Sequence, residues 1–301
     1  MTTVESPSAK PARADAVGER PSGYPSFGIS ALTPQLGAEV HGLDLSRTLD
    51  DDQWHDLDSA FADWRVLVFR DQHLDREAHK AFGRHFGRLH VHPLNAVRGG
   101  DDPEILIVKT TAASPYTAGD GWHSDVTCDE VPPLGSALYI TEVPSSGGGD
   151  TLFANMGLAH DLLSPAMQTF LAGLTAVHDG AKPYVGSYRY TPPEGGYPRT
   201  EHPVVTVHPV TGRRVLNVNP GFTTHIVGMH RWESDALLKA LHDMVATTPK
   251  LHCRVRWEPN TLTLWDNRCV QHHAVWDYYP NTRYGERVSI VADEAPRGVG
   301  G

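Results

Sequence analysis

The chain has 301 residues, 40% of them hydrophobic and 21% charged, the balance of an ordinary water-soluble globular protein, and it holds no run of about 18 apolar residues to cross a membrane. Its net charge of −10, with 26 scattered Lys and Arg against 36 acids, excludes a generic nucleic-acid binder, because phosphate recognition needs concentrated positive charge. Cys128, Cys253 and Cys269 are odd in number, widely spaced and without a CxxC pair, so neither a disulfide framework nor a cysteine zinc site is suggested, and a reducing cytoplasm fits best.

Residues 1–26 are rich in Pro, Ser, Ala and charge and lack the apolar stretch of a secretory signal, which predicts a disordered tail. QLGAEVHGLDLS then shows alternation with glycine punctuation. DDDQWHDLDSAFADW places Trp54, Leu57, Phe61 and Trp64 at helical spacing behind an acidic start, and WRVLVFRDQ is a β-branched run expected as a buried strand. DREAHKAFGRHFGRLH predicts a second helix ending near Gly87, and PEILIVKT another strand. From Leu134 short strands dominate: GSALYITEV, DTLFANM, EHPVVTVHP, RRVLNVN, CRVRWEP, TLTLWDN and RVSIVAD. Helical interruptions are expected at GLAHDLLSPAMQTFLAGLTAV and at ESDALLKALHDMVATT, and the final EAPRGVGG looks loose. With no internal repeat and no interior linker, residues 27–301 are expected to form a single domain, a sandwich or barrel with helices packed outside. No G-x-G-x-x-G follows a strand and no P-loop is present, which disfavours a nucleotide fold.

The chemistry gathers at two stretches. In GWHSDVTCDE, His123 and Asp125 stand two apart, a spacing that on a strand turns both side chains to one face, where they can share an ion. A third ligand is offered by WDNRCVQHHAVWDYYPNTRYGERVSI, where His272 and His273 follow a β-like segment. Two histidines and one carboxylate make the facial triad suited to non-haem Fe(II), with open positions for a chelating co-substrate and O2. The bland alternatives are histidines satisfied by backbone carbonyls and a WDN turn closed by an Asx bond. The ordered combination of WHSD, GGGDTLF, WDNRCVQHHA, Arg283 and Arg287 tips the balance toward a metal site.

These stretches, with HVHP at His90–Pro93 and NPGFTTHIVG at Asn219–Gly228, resemble the taurine dioxygenase family of Fe(II)- and 2-oxoglutarate-dependent oxygenases, which includes alkylsulfatases and aryloxyalkanoate dioxygenases, over about Leu32 to Pro296. The resemblance implies a mainly β fold with helices, a double-stranded β-helix (jelly roll) core with surrounding α-helices. It also implies that His123, Asp125 and His272 hold the iron, the first histidine after Gln271 being the ligand, and that Thr151 and Arg283 bind the distal carboxylate of 2-oxoglutarate. His92, the second histidine of HVHP, and Arg287 correspond to the residues that grip a sulfonate, sulfate or carboxylate. A surface salt bridge with Glu286 or a nearby Asp is the alternative for Arg287, which stands four residues past Arg283, too far to face identically if a bulge intervenes. Against the taurine enzyme, Gly119 replaces an asparagine, and the two aromatic pocket positions become Cys128 and Tyr184, so taurine itself is doubtful.

The activity implied is oxidation of a small anionic organic substrate with release of succinate and CO2 from 2-oxoglutarate, with O2 as oxidant. The same iron ligands serve hydroxylation, cleavage by hydroxylation, desaturation or rearrangement. A biosynthetic tailoring oxygenase acting on an amino-acid-like or carboxylate substrate is the second reading, and a cupin-like binding protein the non-enzymatic one. Relatives are commonly dimers or tetramers, so a homo-oligomer is expected.

Overall fold

Asp50 accepts a hydrogen bond from the backbone of Gln53, whose side chain accepts one in return from the Asp50 backbone, and this capping box starts helix α1 (Asp51–Trp64). Asp75 caps α2 (Arg76–Phe86), which stops at Gly87 as its sequence predicts. The computed structural model describes residues 23–92 and 102–300. The expected disorder of residues 1–22 and the proline of HVHP lie outside them.

One large sheet orders its strands as β1 (Gly28–Ala31), β2 (Ala38–His41), β3 (Val66–Phe69), β14 (Thr261–Asp266), β6 (Pro133–Glu142), β16 (Arg283–Val291) and β4 (Leu89–His90), with β5 (Leu106–Thr110) also paired to β16. All its pairings are antiparallel except that of β2 with β3. A three-stranded sheet joins β13 (His252–Val255), β7 (Thr151–Asn155) and β15 (Val270–Ala274). Another joins β12 (Thr223–Ile226), β8 (Thr175–Asp179) and β9 (Arg199–Pro203), and β10 (Val205–Val207) pairs with β11 (Arg214–Leu216).

The two-residue period of the central strands divides the core. Leu67 and Phe69 of β3, with Ala137 and Tyr139 of β6, face Leu57, Phe61 and Trp64 of α1 and Phe82 of α2. Val66 and Val68, with Leu138 and Ile140, turn the other way, into a core shared with Phe153 of β7 and Val270 of β15. A central strand buried on both faces reads as a continuous apolar run, which is why VLVF needs no polar alternation. The functional cavity opens between the large sheet and the β13–β7–β15 sheet.

Three expectations change. The segment GLAHDLLSPAMQTFLAGLTAV is not one helix but two, α3 (Met156–Asp161) and α4 (Pro165–Ala172), followed by β8. Ser164 caps α4 with Pro165 in its first turn, a combination that starts a helix rather than continuing one. The last residues of the predicted tail are packed: Tyr24 is buried, stacks on Phe27 and donates to Asp63 Oδ2 at 2.8 Å. The C-terminal stretch is also pinned, since the Val207 amide donates to Arg297 O at 2.9 Å and Gly298 bridges Thr206. No described helix is long and apolar enough to cross a membrane.

Candidate active site

His123 and His272 exchange two backbone hydrogen bonds, His123 N to His272 O at 3.0 Å and His272 N to His123 O at 2.7 Å, which lock the loop before β6 onto β15. This is an isolated bridge, and the chain turns directly after it, with Val126 at φ 48. Asp125 therefore reaches the histidines through a turn and not through strand alternation, a correction to the expected reason for their common face. Asn267 holds the turn: its Oδ1 accepts from Asp125 N at 2.6 Å, and its Nδ2 donates to Asp125 O at 2.9 Å and Pro133 O at 3.0 Å.

The three side chains converge, with one ligand atom from each within 4.8 Å of the others. Asp125 Oδ1 lies 3.8 Å from His123 Nε2 and 3.9 Å from His272 Nε2. His123 Nδ1 donates to Gly121 O at 2.9 Å, which leaves its Nε2 lone pair facing the cluster. Burial, and then the neighbouring His123, push His272 well below the ordinary imidazole range, and burial lowers His123 too. Burial would raise the Asp125 carboxyl, but Arg287, His272 and His123 outweigh it and hold it well below the usual range. Two neutral imidazoles and one ionised carboxylate are the donor set that Fe(II) takes in a facial triad. His273 turns aside to Asp120 Oδ1 at 3.0 Å.

His208, Asp266 and Cys269 also come close enough to hold an ion. His208 Nδ1 accepts from the amides of Val210 and Thr211, so its Nε2 donates to Asp266 Oδ2 at 2.9 Å, and Arg268 bonds both oxygens of that carboxylate. With its lone pairs committed, the group is a buried polar pin.

Thr151 and Arg283, the first residues of β7 and β16, line the same cavity of about 270 Å³ as the three candidate ligands. Thr151 Oγ1 accepts from Trp257 Nε1 at 3.0 Å, and the Arg283 guanidinium lies 5.3 Å from the centre of the Trp257 ring. Arg283 is buried, yet its Nε and Nη2 find no acceptor among the described residues. Such a group is costly unless an anion joins it, and a planar guanidinium suits a carboxylate. The glycine triplet approaches Arg283: Gly149 sits at φ 74, and a Cβ there would lie 3.1 Å from Arg283 Cδ and 3.2 Å from the Tyr278 ring.

On the substrate side, Arg287 is 8% exposed and donates from Nη1 to Asp125 Oδ1 at 2.7 Å. Glu286 is bound instead by Arg76, so the surface-bridge alternative does not hold. The register shift expected to separate the two arginines falls on β6, where Tyr284 pairs with Glu142 and Gly285 with Ile140. The alternation of β16 stays intact, and Arg283 and Arg287 share the inward face. His92 lines the cavity with its ring centre 6.1 Å from that of Tyr184, the two rings nearly perpendicular, and Tyr184 lines it too. Gly119 is also in the wall, at φ 85, and a Cβ there would lie 3.2 Å from His123 Cε1. Cys128 is not a wall residue: it is fully buried behind Val126, Tyr184 and Phe222, where burial pushes its thiol up.

Tyr188, Phe222 and Gly221 also stand in the wall, beyond the residues that the motifs mark. Tyr188 accepts from the Gly119 amide at 2.9 Å, and a Cβ on Gly221 would lie 2.7 Å from His123 Cβ. The glycine of NPGF was the one available signal for that close approach.

Residues 28–289 match the family described as taurine catabolism dioxygenase TauD, TfdA family. The chain belongs to this family. An alpha-ketoglutarate-dependent sulfonate dioxygenase of Saccharomyces cerevisiae is 36% identical over 282 residues, covering 88% of this chain and 67% of the yeast protein. An alkylsulfatase of Acinetobacter baylyi is 32% identical over 276 residues, covering 88% and 85%. The crystal structure of a taurine dioxygenase from Burkholderia xenovorans superposes with a TM-score of 0.78 at 36% identity, over 91% of this chain and 93% of that one. As a TauD, TfdA family member the chain is an Fe(II)- and 2-oxoglutarate-dependent dioxygenase.

Proposed function

We propose that this dioxygenase oxidises a small organic anion, a sulfonate, sulfate ester or carboxylate, at a centre where His123, Asp125 and His272 hold the iron, Thr151 and Arg283 receive the distal carboxylate of 2-oxoglutarate, and Arg287 and His92 receive the substrate's head group. The observation that carries this reading is the shared cavity: an ionised carboxylate set between two neutral imidazoles, with a buried guanidinium in the same wall whose Nε and Nη2 lack acceptors among the described residues. The names of the sulfonate dioxygenase and the alkylsulfatase support the substrate class. The two facing sheets with helices outside support a jelly-roll core.

When bound, iron and 2-oxoglutarate supply the activation of O2 that drives oxidation of a C–H bond, with succinate and CO2 as co-products. The protein's part is orientation. Asn267 and the His123–His272 bridge set the ligands, Trp257 fixes Thr151 by an indole N–H, and Arg283 would receive the co-substrate's carboxylate. Tyr184, Tyr188 and Phe222 form an aromatic wall that excludes water from the substrate's carbon skeleton. Three buried, unpaired cysteines suit a reducing compartment.

The test is anaerobic addition of Fe(II) and 2-oxoglutarate, followed by a succinate assay with sulfonates, sulfate esters, aryloxyalkanoates and carboxylates. A visible metal-to-ligand charge-transfer band and substrate-dependent succinate are expected. Absence of the band from well-folded protein rejects the assignment of the iron and 2-oxoglutarate residues.

A further inference from the structure

Ser136 on β6 and Ser289 on β16 are direct cross-strand partners, 0% and 5% exposed, on the buried sheet face that also carries Leu138 and Arg287 toward the cavity. Two hydroxyls facing one another in such a place are unfavourable unless both are satisfied. Their oxygens lie 3.1 Å apart, and Ser136 Oγ lies 3.0 Å from Asp125 Oδ2. An ionised carboxylate can only accept, so the Ser136 proton goes to Oδ2, and the Ser289 proton then goes to Ser136 Oγ. The two hydroxyl dipoles form a directed relay that ends on one oxygen of Asp125.

The other oxygen, Oδ1, faces both His123 Nε2 and His272 Nε2. It also takes the Arg287 bond, and the Asp125 backbone is fixed by Asn267. A carboxylate held at its backbone and by one bond at Oδ1 can still pivot and present either oxygen, or both, to an ion. The relay removes that freedom by engaging Oδ2.

We propose that Ser136, backed by Ser289, is a positioning residue that makes Asp125 a one-oxygen metal ligand through Oδ1. The inference rests on the reading of His123, Asp125 and His272 as the metal ligands. Residues that support metal ligands in this way change affinity by about 10–100-fold when removed.

The test is titration of the metal-free full-length protein with Co(II), following both dissociation constant and visible d–d bands, for wild type, Ser136→Ala, Ser136→Thr and Ser289→Ala. Ser136→Ala is expected to weaken Co(II) binding about 10–100-fold and to alter band intensity as the carboxylate gains a second oxygen contact. Ser136→Thr, which keeps the hydroxyl, should restore the wild-type spectrum, and Ser289→Ala should show a smaller loss in the same direction. Wild-type affinity and bands in Ser136→Ala overturn the proposal alone. If that variant does not fold, wild-type affinity and bands in Ser289→Ala overturn it. A wild-type protein that takes up no Co(II) overturns the metal reading beneath it and the proposal with it.

Discussion

The two ends of the cavity are built on opposite terms. Around His123, Asp125 and His272 the protein supplies most of the partners: Gly121 O for His123, Ser136 and Arg287 for the carboxylate, and Asn267 for the turn, with His272 Nδ1 and Arg287 Nε left over among the described residues. At the other end Trp257 holds Thr151 and lies beside Arg283, but the buried guanidinium retains two nitrogens without acceptors among the described residues. A group whose partners come from the fold contributes to stability before any ligand arrives. A group left without one costs stability, and recovers it only when an anion binds. Disrupting the first end should therefore harm both fold and activity, while disrupting the second should harm activity alone.

The largest effect is expected from Asp125→Ala, which removes a candidate metal ligand and strands Arg287 as a buried unpaired charge. Succinate formation should fall by more than the roughly 100-fold that loss of a supporting residue costs. Breaking the buried pair should destabilise the fold by about 3–5 kcal/mol in urea unfolding. Substantial turnover with unchanged stability would remove the basis of the contrast.

Arg283→Gln sharpens the other side. Losing a buried charged contact to the co-substrate costs about 2–5 kcal/mol, so the KM for 2-oxoglutarate should rise roughly thirty-fold or more. The ligand-free protein should melt no lower than wild type, since the side chain removed carried a buried charge with two nitrogens unsatisfied. A lower melting temperature without ligand would show that Arg283 finds its partner within the fold.

A smaller effect is expected at Gly221→Ala, where the new Cβ would lie 2.7 Å from His123 Cβ. Overpacking of this kind costs about 1–3 kcal/mol, and here part of it should displace the His123 ring. Co(II) affinity should fall together with stability, whereas wild-type affinity would show that the 219–222 loop moves instead of the histidine.

The smallest effect is a slope with pH, and it arises away from the cavity. Burial pushes His79 and His242 down to about 4 from the ordinary 6.5. Below 6.5 the unfolded chain takes up protons that the folded one refuses, so stability is full above 6.5 and declines as pH falls toward 4. Each tenfold loss of proton affinity on folding is worth about 1.4 kcal/mol, so melts at pH 7.5 and pH 5 should differ visibly in wild type, and His79→Gln should flatten the dependence. An unchanged slope in that variant would show that His79 does not contribute to it.

The convergence of the candidate metal set was legible because its chemistry constrains residue type and order, as in WHSD, GGGDTLF and WDNRCVQHHA. The elements were legible too where one period dominated, as in the capped α1 and the wholly buried VLVF of β3. Misreadings arose where the outcome depended on a distant partner. His123 and Asp125 share a site, but a turn held by Asn267, 142 residues away, brings them there. Cys128 follows the motif by three residues and still lies behind the wall, because Tyr184 and Phe222 occupy the space in front of it.

By itself the amino-acid order determined which donors exist, in what succession, and which segments alternate or turn with the periods of strand and helix. Those are local properties, set by side-chain chemistry and by backbone geometry over a few residues. Only the tertiary structure decided that Arg287 meets Asp125, that two Arg283 nitrogens are left without acceptors among the described residues, and that Ser289, through Ser136, backs a hydroxyl aimed at one carboxylate oxygen. Each of these depends on strand register between segments far apart in the chain, and a slip of one residue would turn the same side chains to the opposite face of the sheet.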